Sequence, residues 1–343
     1  MTLKVPFDLP PMEAKLVAAL PDEPGWRFEP KWDGFRCLAF KDGSDVQLQS
    51  KSGKPLTRYF PEMAAALAEL PITCFVLDGE LTISVDGKLS FDALQARLHP
   101  AASRVQKLSR ETPAKFIVFD CLAGEDGKSL VGQPLSARRM ALKTIAASFK
   151  GADAIRLSPG TEDRKAAEDW LAQSGGALDG VVAKRLDEAY QPGERAMLKV
   201  KQLRSADCVV GGFRYEKDSE FVASLLLGLY DDAGLLNHVG FTSMISDAER
   251  PDLTRRLEAL AGPPGFTGKA PGGPSRWTTD RSAQWSPLRP ELVVEVRYDQ
   301  VTGARFRHGT RLLRWRPDKA PTQCTMEQLQ PEAAPAEVIA AIG

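Results

Sequence analysis

The feature of this sequence that most constrains its fold is a change of pattern near residue 204. Before this point, short runs rich in Val, Ile and Phe alternate with segments of helical periodicity, which is the pattern of a mixed α and β domain. After it, strand patterns dominate and one helical segment interrupts them. We therefore expect two domains, residues 1–204 and 205–343, which suits the usual domain size for a chain of 343 residues.

The two predicted domains differ in architecture. The first is predicted to be α+β, with strands at 35–40, 45–49, 74–83, 115–121, 180–184 and 197–201 and helices at 62–70, 91–98, 137–149 and 162–173. In three of these helices, Ser90, Ser136 and Thr161 stand where an N-cap is expected. The second is predicted to have strands at 208–215, 221–230, 235–241, 292–298 and 311–315, a helix at 248–260 and a Pro- and Gly-rich loop at 262–274. Five short strands and one helix suit a small β-barrel of the OB type, with a sandwich as the alternative.

Composition excludes several classes of protein. No apolar run is long enough to cross a bilayer and the first residues lack the apolar core of a signal peptide, so we expect a cytoplasmic protein. The five cysteines are scattered, which predicts reduced, buried thiols and neither a disulfide framework nor a zinc site.

Charge is balanced over the whole chain but not locally. The formal net charge is zero, so a surface for nucleic acid would have to be local. Between 295 and 319, seven basic residues face three acidic ones: Arg297, Arg305, Arg307, Arg311, Arg314, Arg316 and Lys319 against Glu295, Asp299 and Asp318. This run is either a solvated strand face or a phosphate-binding surface.

Lys31 stands in a segment that could carry chemistry, Glu29-Pro-Lys-Trp-Asp-Gly-Phe-Arg36, between a predicted turn and a predicted strand. A lysine that attacks a phosphoryl group must lose its proton, and aromatic bulk and neighbouring cations favour the neutral amine. Gly34 would let the backbone approach a phosphate closely. The same residues also fit a plain surface turn.

Carboxylates recur on the predicted strands that follow. Alternation places Asp78 and Glu80 on one strand face, where a carboxylate can hold a ribose hydroxyl or a metal ion. Asp179 is a second candidate metal ligand, and strict alternation would put it on the opposite face from Lys184. Phe119 lies in an apolar strand, where core packing and stacking on a purine are both open.

Two basic groups complete the set. Lys199 and Lys201 share one strand face and would repel each other unless an anion such as a triphosphate lies between them. The alternative is a strand edge protected by lysines. Near the end of the chain, Arg316 and Lys319 flank Asp318 in a group suited to pyrophosphate or nucleic-acid phosphate.

The order and spacing of these segments are more specific than any one of them. The series K-x-D-G, D-G-E, F-D, D-G-V-V-A-K, L-K-V-K and R-x-D-K, from Glu29 to Lys319, resembles the nucleotidyltransferase motifs of ATP-dependent DNA ligases. Residues 58–62 and 305–319 are similar to the small bacterial ligases of the ligase C subfamily, which consist of an adenylation domain and an OB domain. The resemblance implies an antiparallel-sheet nucleotidyltransferase fold, like that of ATP-grasp ligases, followed by an OB-type barrel.

The resemblance also implies roles by position. Lys31 would be the nucleophile that forms a lysyl–AMP phosphoramidate. The residues implied to bind the nucleotide are Glu29 at the adenine amino group, Phe119 stacked on adenine, Arg36 and Glu80 at the ribose or neighbouring groups, Lys51 at the AMP or nick phosphate, and Lys199 and Lys201 at the nucleotide phosphates. Those implied to orient pyrophosphate are Arg316, Asp318 and Lys319. Glu80 and Asp179 would hold a divalent ion, Mg²⁺ or Mn²⁺.

The sequence departs from the family pattern at two of these positions. Lys51 stands where such ligases usually carry the arginine of an S-R-x-G segment, which keeps the charge but loses bidentate geometry. Asp179 stands where glutamate is usual, and its shorter carboxylate could reach a metal through water.

The resemblance predicts an ATP-dependent DNA ligase that seals 3′-hydroxyl/5′-phosphate nicks in duplex DNA during repair, with ATP as co-substrate. The alternatives are an RNA ligase or capping-type nucleotidyltransferase, and a DNA-end-binding protein without catalytic activity. Expected partners are nicked duplex DNA and a repair polymerase or end-binding protein. We expect a monomer associated with the nucleoid.

Overall fold

The computed structural model describes residues 3–85, 88–149, 153–172, 178–243, 245–272 and 284–329. The chain divides into two compact units between Gln202 and Leu203. Residues 330–343, the end of the predicted second domain, lie outside the described residues.

The first unit contains two mixed sheets and the helices that cover them. Its elements are β1 (Ala14–Leu16), β2 (Trp26–Trp32), β3 (Phe35–Asp42), β4 (Asp45–Ser50), α1 (Pro61–Ala68), β5 (Cys74–Thr82), β6 (Ser84–Val85), β7 (Lys88–Leu89), α2 (Phe91–Arg97), α3 (Ala102–Glu111), β8 (Lys115–Ala123), α4 (Leu135–Ala146), β9 (Ile155–Leu157), α5 (Arg164–Ala172), β10 (Leu178–Arg185) and β11 (Met197–Val200). The sheet orders are β4-β3-β5-β8-β9 and β1-β11-β10-β2. The pairs β2–β10, β10–β11, β3–β4, β3–β5 and β5–β8 are antiparallel, as predicted, whereas β1–β11 and β8–β9 are parallel, which was not predicted.

Two clusters of buried apolar side chains pack the helices and the two sheets of this unit together. Apolar side chains of β3, β5 and β8 are buried with those of α1 and α4. Ile117 and Phe119 of β8 belong to a second cluster with Phe28 and Trp32 of β2. Strand β2, which carries Glu29 and Lys31, is therefore fixed against the central strands of the larger sheet.

The second unit is a closed barrel. Its elements are β12 (Arg204–Tyr215), β13 (Val222–Tyr230), β14 (Leu236–Thr242), α6 (Arg250–Glu258), β15 (Ser286–Pro287), β16 (Val293–Tyr298), β17 (Val301–Thr302), β18 (Arg305–Phe306) and β19 (Arg311–Trp315). The strand order is β14-β13-β12-β16-β19, and a parallel bridge from Thr242 to Thr310 brings the two outer strands together. This order, with α6 between the third and fourth barrel strands, is that of an OB fold. The α+β and OB predictions are confirmed, and the sandwich alternative is wrong.

Several local predictions need correction. Strand β2 was not expected, because Pro30 argues against a strand interior, yet Trp26, Phe28 and Trp32 alternate with charged residues and carry the signal. Lys31 therefore lies within a strand and not after a turn. Strands β1 and β9 and helix α3 were also not predicted.

One of the three N-cap predictions is confirmed and two are wrong. Ser90 caps α2, accepting a hydrogen bond from the amide of Ala93 at 3.2 Å. Ser136 is wrong, because α4 begins at Leu135, two residues before the predicted start, and Pro134 is its N-cap residue. Thr161 is wrong too: α5 begins at Arg164, and the Thr161 hydroxyl accepts from a loop amide.

Two compositional predictions can be compared with the structure. All five cysteines are buried and unpaired by disulfides, as predicted. Within the described ranges, no helix has the length and apolar character needed to cross a membrane. Residues 263–272 of the predicted loop lie outside helices and strands, and its last two residues are not described.

Candidate active site

A cleft of about 190 Å³ opens in the first unit where β2, β8, β10 and β11 meet residues 11–14. The predicted site residues that line it are Glu29, Lys31, Arg36, Lys51, Glu80, Phe119 and Lys199. Met12, Trp32, Val182 and Lys184 are further lining residues. Residues that are far apart in sequence therefore surround one cavity.

Lys31 is held at this cleft by Asp179. Its Nζ atom lies 2.5 Å from Oδ2 of Asp179, and the same oxygen lies 3.0 Å from Nζ of Lys201. Asp179 reaches both lysines because β10 has a bulge between Leu178 and Val181. Gly180 occupies the bulge with φ +131°, and a Cβ there would lie 2.0 Å from the backbone oxygen of Val200. Only glycine fits this position.

The bulge corrects one expectation. Strict alternation predicted that Asp179 and Lys184 face opposite sides of β10. Asp179 contacts Lys31, whereas Lys184 contacts Glu29 at 2.6 Å, and these two partners are alternate residues of β2. Both β10 side chains therefore reach the same side of the strand, because the extra residue shifts the alternation.

Glu29 is a buried carboxylate among cations. Its side chain is 2 % exposed, and it lies 2.6 Å from Lys184, 3.2 Å from Arg27 and 3.7 Å from Arg139. Burial acts to raise the pKa of Glu29, but Lys184, Arg139 and Arg27 together hold that pKa below its usual value. The carboxylate is therefore ionised and can only accept hydrogen bonds.

Phe119 has the core-packing role that the sequence left open, and its position leaves stacking on a purine as a prediction. It is buried in the cluster that joins β8 to β2, and it also lines the cleft. The guanidinium carbon of Arg36 and Nζ of Lys184 each lie 4.5 Å from its ring centroid. The ring thus presents an aromatic surface at the cleft with cations beside it.

Arg36 belongs to a buried hydrogen-bond chain that the sequence did not reveal. It donates through Nε and Nη2 to both carboxylate oxygens of Asp78, at 2.5 and 2.6 Å. The hydroxyl of Tyr190 donates to Asp78 at 2.7 Å and accepts from the amide of Met12 at 2.9 Å. Because Met12 lines the cleft, this chain ties the cleft wall to Arg36.

Glu80 lines the cleft, and Gly34 lies beside its side chain. Burial raises the pKa of Glu80 to about 7, although Arg36 and Lys31 act in the opposite direction. A Cβ on Gly34 would lie 2.2 Å from the backbone oxygen of Leu81, so glycine allows the turn after β2 to contact β5. The close approach at Gly34 is to protein backbone.

Four lysines, Lys31, Lys51, Lys199 and Lys201, lie near one another and make this region positively charged. The pKa of Lys199 is lowered by burial and then by the charges of Lys31, Lys201 and Lys51. Lys51 is paired with Glu13 at 2.9 Å, and Glu13 also lines the cleft. An anion in the cleft would relieve the repulsion among these ammonium groups.

Arg316, Asp318 and Lys319 lie in the second unit. Arg316 donates to both Asp318 and Asp207, and Lys319 lies 2.7 Å from Asp207. The hydrogen bond from Arg316 lowers the pKa of Asp318 to about 2. Farther along the basic run, Arg314 pairs with Glu295 at 2.6 Å. Asp207 therefore holds Arg316 and Lys319 in place. Sequence reasoning did not identify Asp207.

Other residues that sequence reasoning missed are Arg27, Arg139 and Tyr190, whereas Asp78 and Lys184 were placed on their strands but not chosen as site residues. Arg27 carried a signal, because it continues the charged alternation of β2. Arg139 and Tyr190 gave none, because one lies in a helix and the other in a loop.

Comparison with known proteins gives consistent matches. The family described as ATP dependent DNA ligase domain matches residues 11–201, and the ATP dependent DNA ligase C terminal region matches residues 218–319. DNA ligase C2 of Mycolicibacterium smegmatis is 47 % identical, over 96 % of this chain and 96 % of that protein. The multifunctional non-homologous end joining DNA repair protein LigD of Mycobacterium tuberculosis (strain H37Rv) is 30 % identical, over 92 % of this chain and 37 % of that protein.

A solved structure agrees in fold. It comes from a structure–function analysis of Lig E DNA ligases and matches with a TM-score of 0.54 at 18 % identity. The match covers 89 % of this chain and all of that chain (100 %).

Proposed function

This chain belongs to the ATP-dependent DNA ligase family, and we propose that it seals 3′-hydroxyl/5′-phosphate nicks in duplex DNA through an adenylate carried on Lys31. The observation that carries the proposal is the position of Lys31, whose amine lines the cleft 2.5 Å from Asp179. A fixed lysine beside a proton acceptor and a wall of cations suits attack on a phosphoryl group.

The first step is self-adenylation. The amine of Lys31 attacks the α-phosphorus of ATP, the N–P bond forms, and the P–O bond to pyrophosphate breaks. Asp179, already in contact with Nζ, receives the proton that the amine loses. Lys199 and Lys201 stabilise charge on the nucleotide phosphates, and Lys51 is available for the AMP or nick phosphate once it leaves Glu13.

The nucleoside half of ATP would occupy the other end of the cleft. Phe119 would stack on adenine, and the ionised Glu29 would accept a hydrogen bond from its amino group. Arg36 and Glu80 would contact the ribose. The rigid pairing of Arg36 with Asp78 supports this role, because it holds the guanidinium at the cleft.

A divalent ion, Mg²⁺ or Mn²⁺, fits at Glu80. Its carboxyl has a raised pKa because burial disfavours its charge, and a cation at the cleft would favour the ionised form. No group of three or more His, Cys, Asp or Glu side chains gathers at one point within the described residues, and Mg²⁺ needs none, since it often takes one or two carboxylates with water and substrate phosphates. Asp179, which is paired with two lysines, would act through water. When bound, the ion would neutralise charge on the phosphates.

The remaining steps transfer and release AMP. An oxygen of the 5′-phosphate at a nick attacks the adenylate, which breaks the N–P bond to Lys31. The adjacent 3′-hydroxyl then attacks the 5′-phosphate and AMP leaves. We assign Arg316, Asp318 and Lys319 to pyrophosphate during the first step, held in place by Asp207.

The basic run at 295–319 would add phosphate contacts, so affinity for nicked DNA should fall as salt rises. A monomer acting on nucleoid DNA in the cytoplasm, with a repair polymerase or an end-binding protein as partner, completes the proposal.

The test is sealing of a labelled duplex with one 3′-hydroxyl/5′-phosphate nick in ATP and Mg²⁺. Wild type should seal it, Lys31→Ala and Lys31→Arg should neither seal nor take up label from α-labelled ATP, and Lys15→Ala, an exposed lysine in the same sheet, should behave as wild type. Label uptake by Lys31→Ala would refute the assignment of the nucleophile. A preference for GTP or for RNA nicks would favour the capping or RNA-ligase alternative. Binding of DNA ends without label uptake would favour a non-catalytic protein.

A further inference from the structure

We propose that Arg139 is a positioning residue that sets the preference for adenine over guanine, by holding the base-reading carboxylate of Glu29 and the backbone of Phe119 together from behind the cleft. The proposal rests on the proposed function, since it concerns the nucleotide that Lys31 attacks.

Arg139 contacts both groups expected to touch the base. It lies in α4, which packs on β8, and its side chain is 6 % exposed. Its Nη1 atom donates to the backbone oxygen of Phe119 at 3.2 Å and lies 3.7 Å from Oε1 of Glu29. One guanidinium therefore links the aromatic surface to the carboxylate.

The neighbouring arginine shows what a purely structural role looks like. Arg138 donates to both oxygens of Asp120, at 2.8 and 3.1 Å, and to the backbone oxygens of Gln133 and Glu188. Arg139 is also buried, but its Nε atom donates to no acceptor among the residues described. Burying a guanidinium with incomplete hydrogen bonding is unfavourable, so its charge must be compensated by nearby carboxylates, first Glu29 and then Asp120.

Charge on Glu29 decides which base is accepted. The charged groups that face it are Arg27 from its own strand, Lys184 from β10 and Arg139 from α4, and Asp120 lies near Arg139. An ionised carboxylate accepts a hydrogen bond from the amino group of adenine and repels the carbonyl oxygen that guanine carries at that ring position. A protonated carboxyl could donate to that oxygen, so losing a cation beside Glu29 relaxes the selectivity.

The experiment compares self-adenylation with ATP and with GTP in four proteins: wild type, Arg139→Gln, Arg139→Lys and Lys143→Gln, whose exposed lysine lies on the same helix. We expect Arg139→Gln to raise KM for ATP by about tenfold, the effect of one charge-assisted contact, with a smaller change in kcat. In the same variant, the ratio of kcat/KM for ATP to kcat/KM for GTP should fall. Arg139→Lys should keep most of the ratio and Lys143→Gln all of it.

Measuring KM for ATP over a range of pH distinguishes an effect of Arg139 on the charge of Glu29 from an effect on packing alone. As pH is lowered, the KM for ATP should begin to rise at a higher pH in Arg139→Gln than in wild type, because Glu29 then binds a proton more readily. The titration of Glu80 is common to both proteins and cancels in the comparison. An unchanged KM, an unchanged ATP to GTP ratio, or parallel pH profiles in Arg139→Gln and wild type would each overturn the proposal. If Arg139→Gln does not fold, Arg139→Lys decides, and loss of selectivity in this folded, charged variant would refute the charge argument.

Equilibrium binding of ATP and GTP to the same four proteins gives the comparison without chemistry. A wild type that binds ATP but takes up no adenylate would refute the proposed function, while the affinity ratios would still test Arg139.

Discussion

Removing the hydroxyl of Tyr190 should lower both the free energy of unfolding of the first unit and its affinity for ATP. Tyr190→Phe deletes the 2.7 Å hydrogen bond to Asp78 and leaves the amide of Met12 without its 2.9 Å acceptor. Asp78 is fully buried and, among the described residues, keeps only Arg36 as a side-chain hydrogen-bond partner. Tyr190 is 3 % exposed, so water does not readily replace the lost hydroxyl. A buried polar group left unsatisfied costs about 1–3 kcal/mol, and here two groups are affected, which gives about 3 kcal/mol.

The assay is thermal unfolding followed by self-adenylation kinetics below the transition. For a unit of this size, about 3 kcal/mol corresponds to a fall in Tm of about 6–12 °C. KM for ATP should rise as well, because Met12 lines the cleft and Arg36 loses part of its support. Tyr215→Phe is the matched control: its hydroxyl also donates to a carboxylate, Glu258, but the residue is 38 % exposed. A Tyr190→Phe protein that melts within a degree of Tyr215→Phe would show that the buried chain contributes no net stability.

Three further outcomes follow from the site. Because the pKa of Glu80 is raised to about 7, its carboxyl becomes protonated as pH falls from 8 to 6; the Mg²⁺ concentration needed for self-adenylation should rise over that range, and a flat profile would contradict the metal assignment. Gly34→Ala brings a Cβ to 2.2 Å from the Leu81 oxygen; overpacking of this kind costs about 1–3 kcal/mol, which denaturant unfolding would register. Asp207→Asn removes the anchor of Arg316 and should slow self-adenylation severalfold while a pre-adenylated nick is still sealed, as single-turnover assays on the two substrates can establish.

Much of the fold followed from periodicity, because most strands have a buried apolar face. The predicted strand at 311–315 matches β19 residue for residue, and 74–83 and 208–215 fall on β5 and β12. Strand β2 was missed although its alternation is regular, since a proline in the middle is a strong argument against a strand. Here Pro30 lies in the edge strand of its sheet, where a missing amide hydrogen is tolerated.

The site was predictable as a set of residue types but not as a set of contacts. Glu29, Lys31 and Glu80 could be proposed because each stands beside other charged residues in a short segment. The pairing of Asp179 with Lys31 depends on a one-residue bulge, which sequence alternation does not register. The partners Arg139 and Tyr190 come from elements remote in sequence, and only tertiary packing brings them against Glu29, Phe119 and Asp78.

The proposed nucleophile, Lys31, lies on a strand, which limits how three proposed reactions could use the same amine. The residues on either side of Lys31, Pro30 and Trp32, are paired with Val181 and Leu178 of β10, and Phe28 is bridged to Thr161 on the other edge of β2. Ladder hydrogen bonds of this kind keep the backbone still on the timescale of turnover. In the proposed reaction the adenylate would then move by rotation of the lysine side chain, and ATP, the 5′-phosphate and the 3′-hydroxyl would each have to reach the same fixed position. The rate of turnover would then depend on the order in which these substrates bind and the products leave.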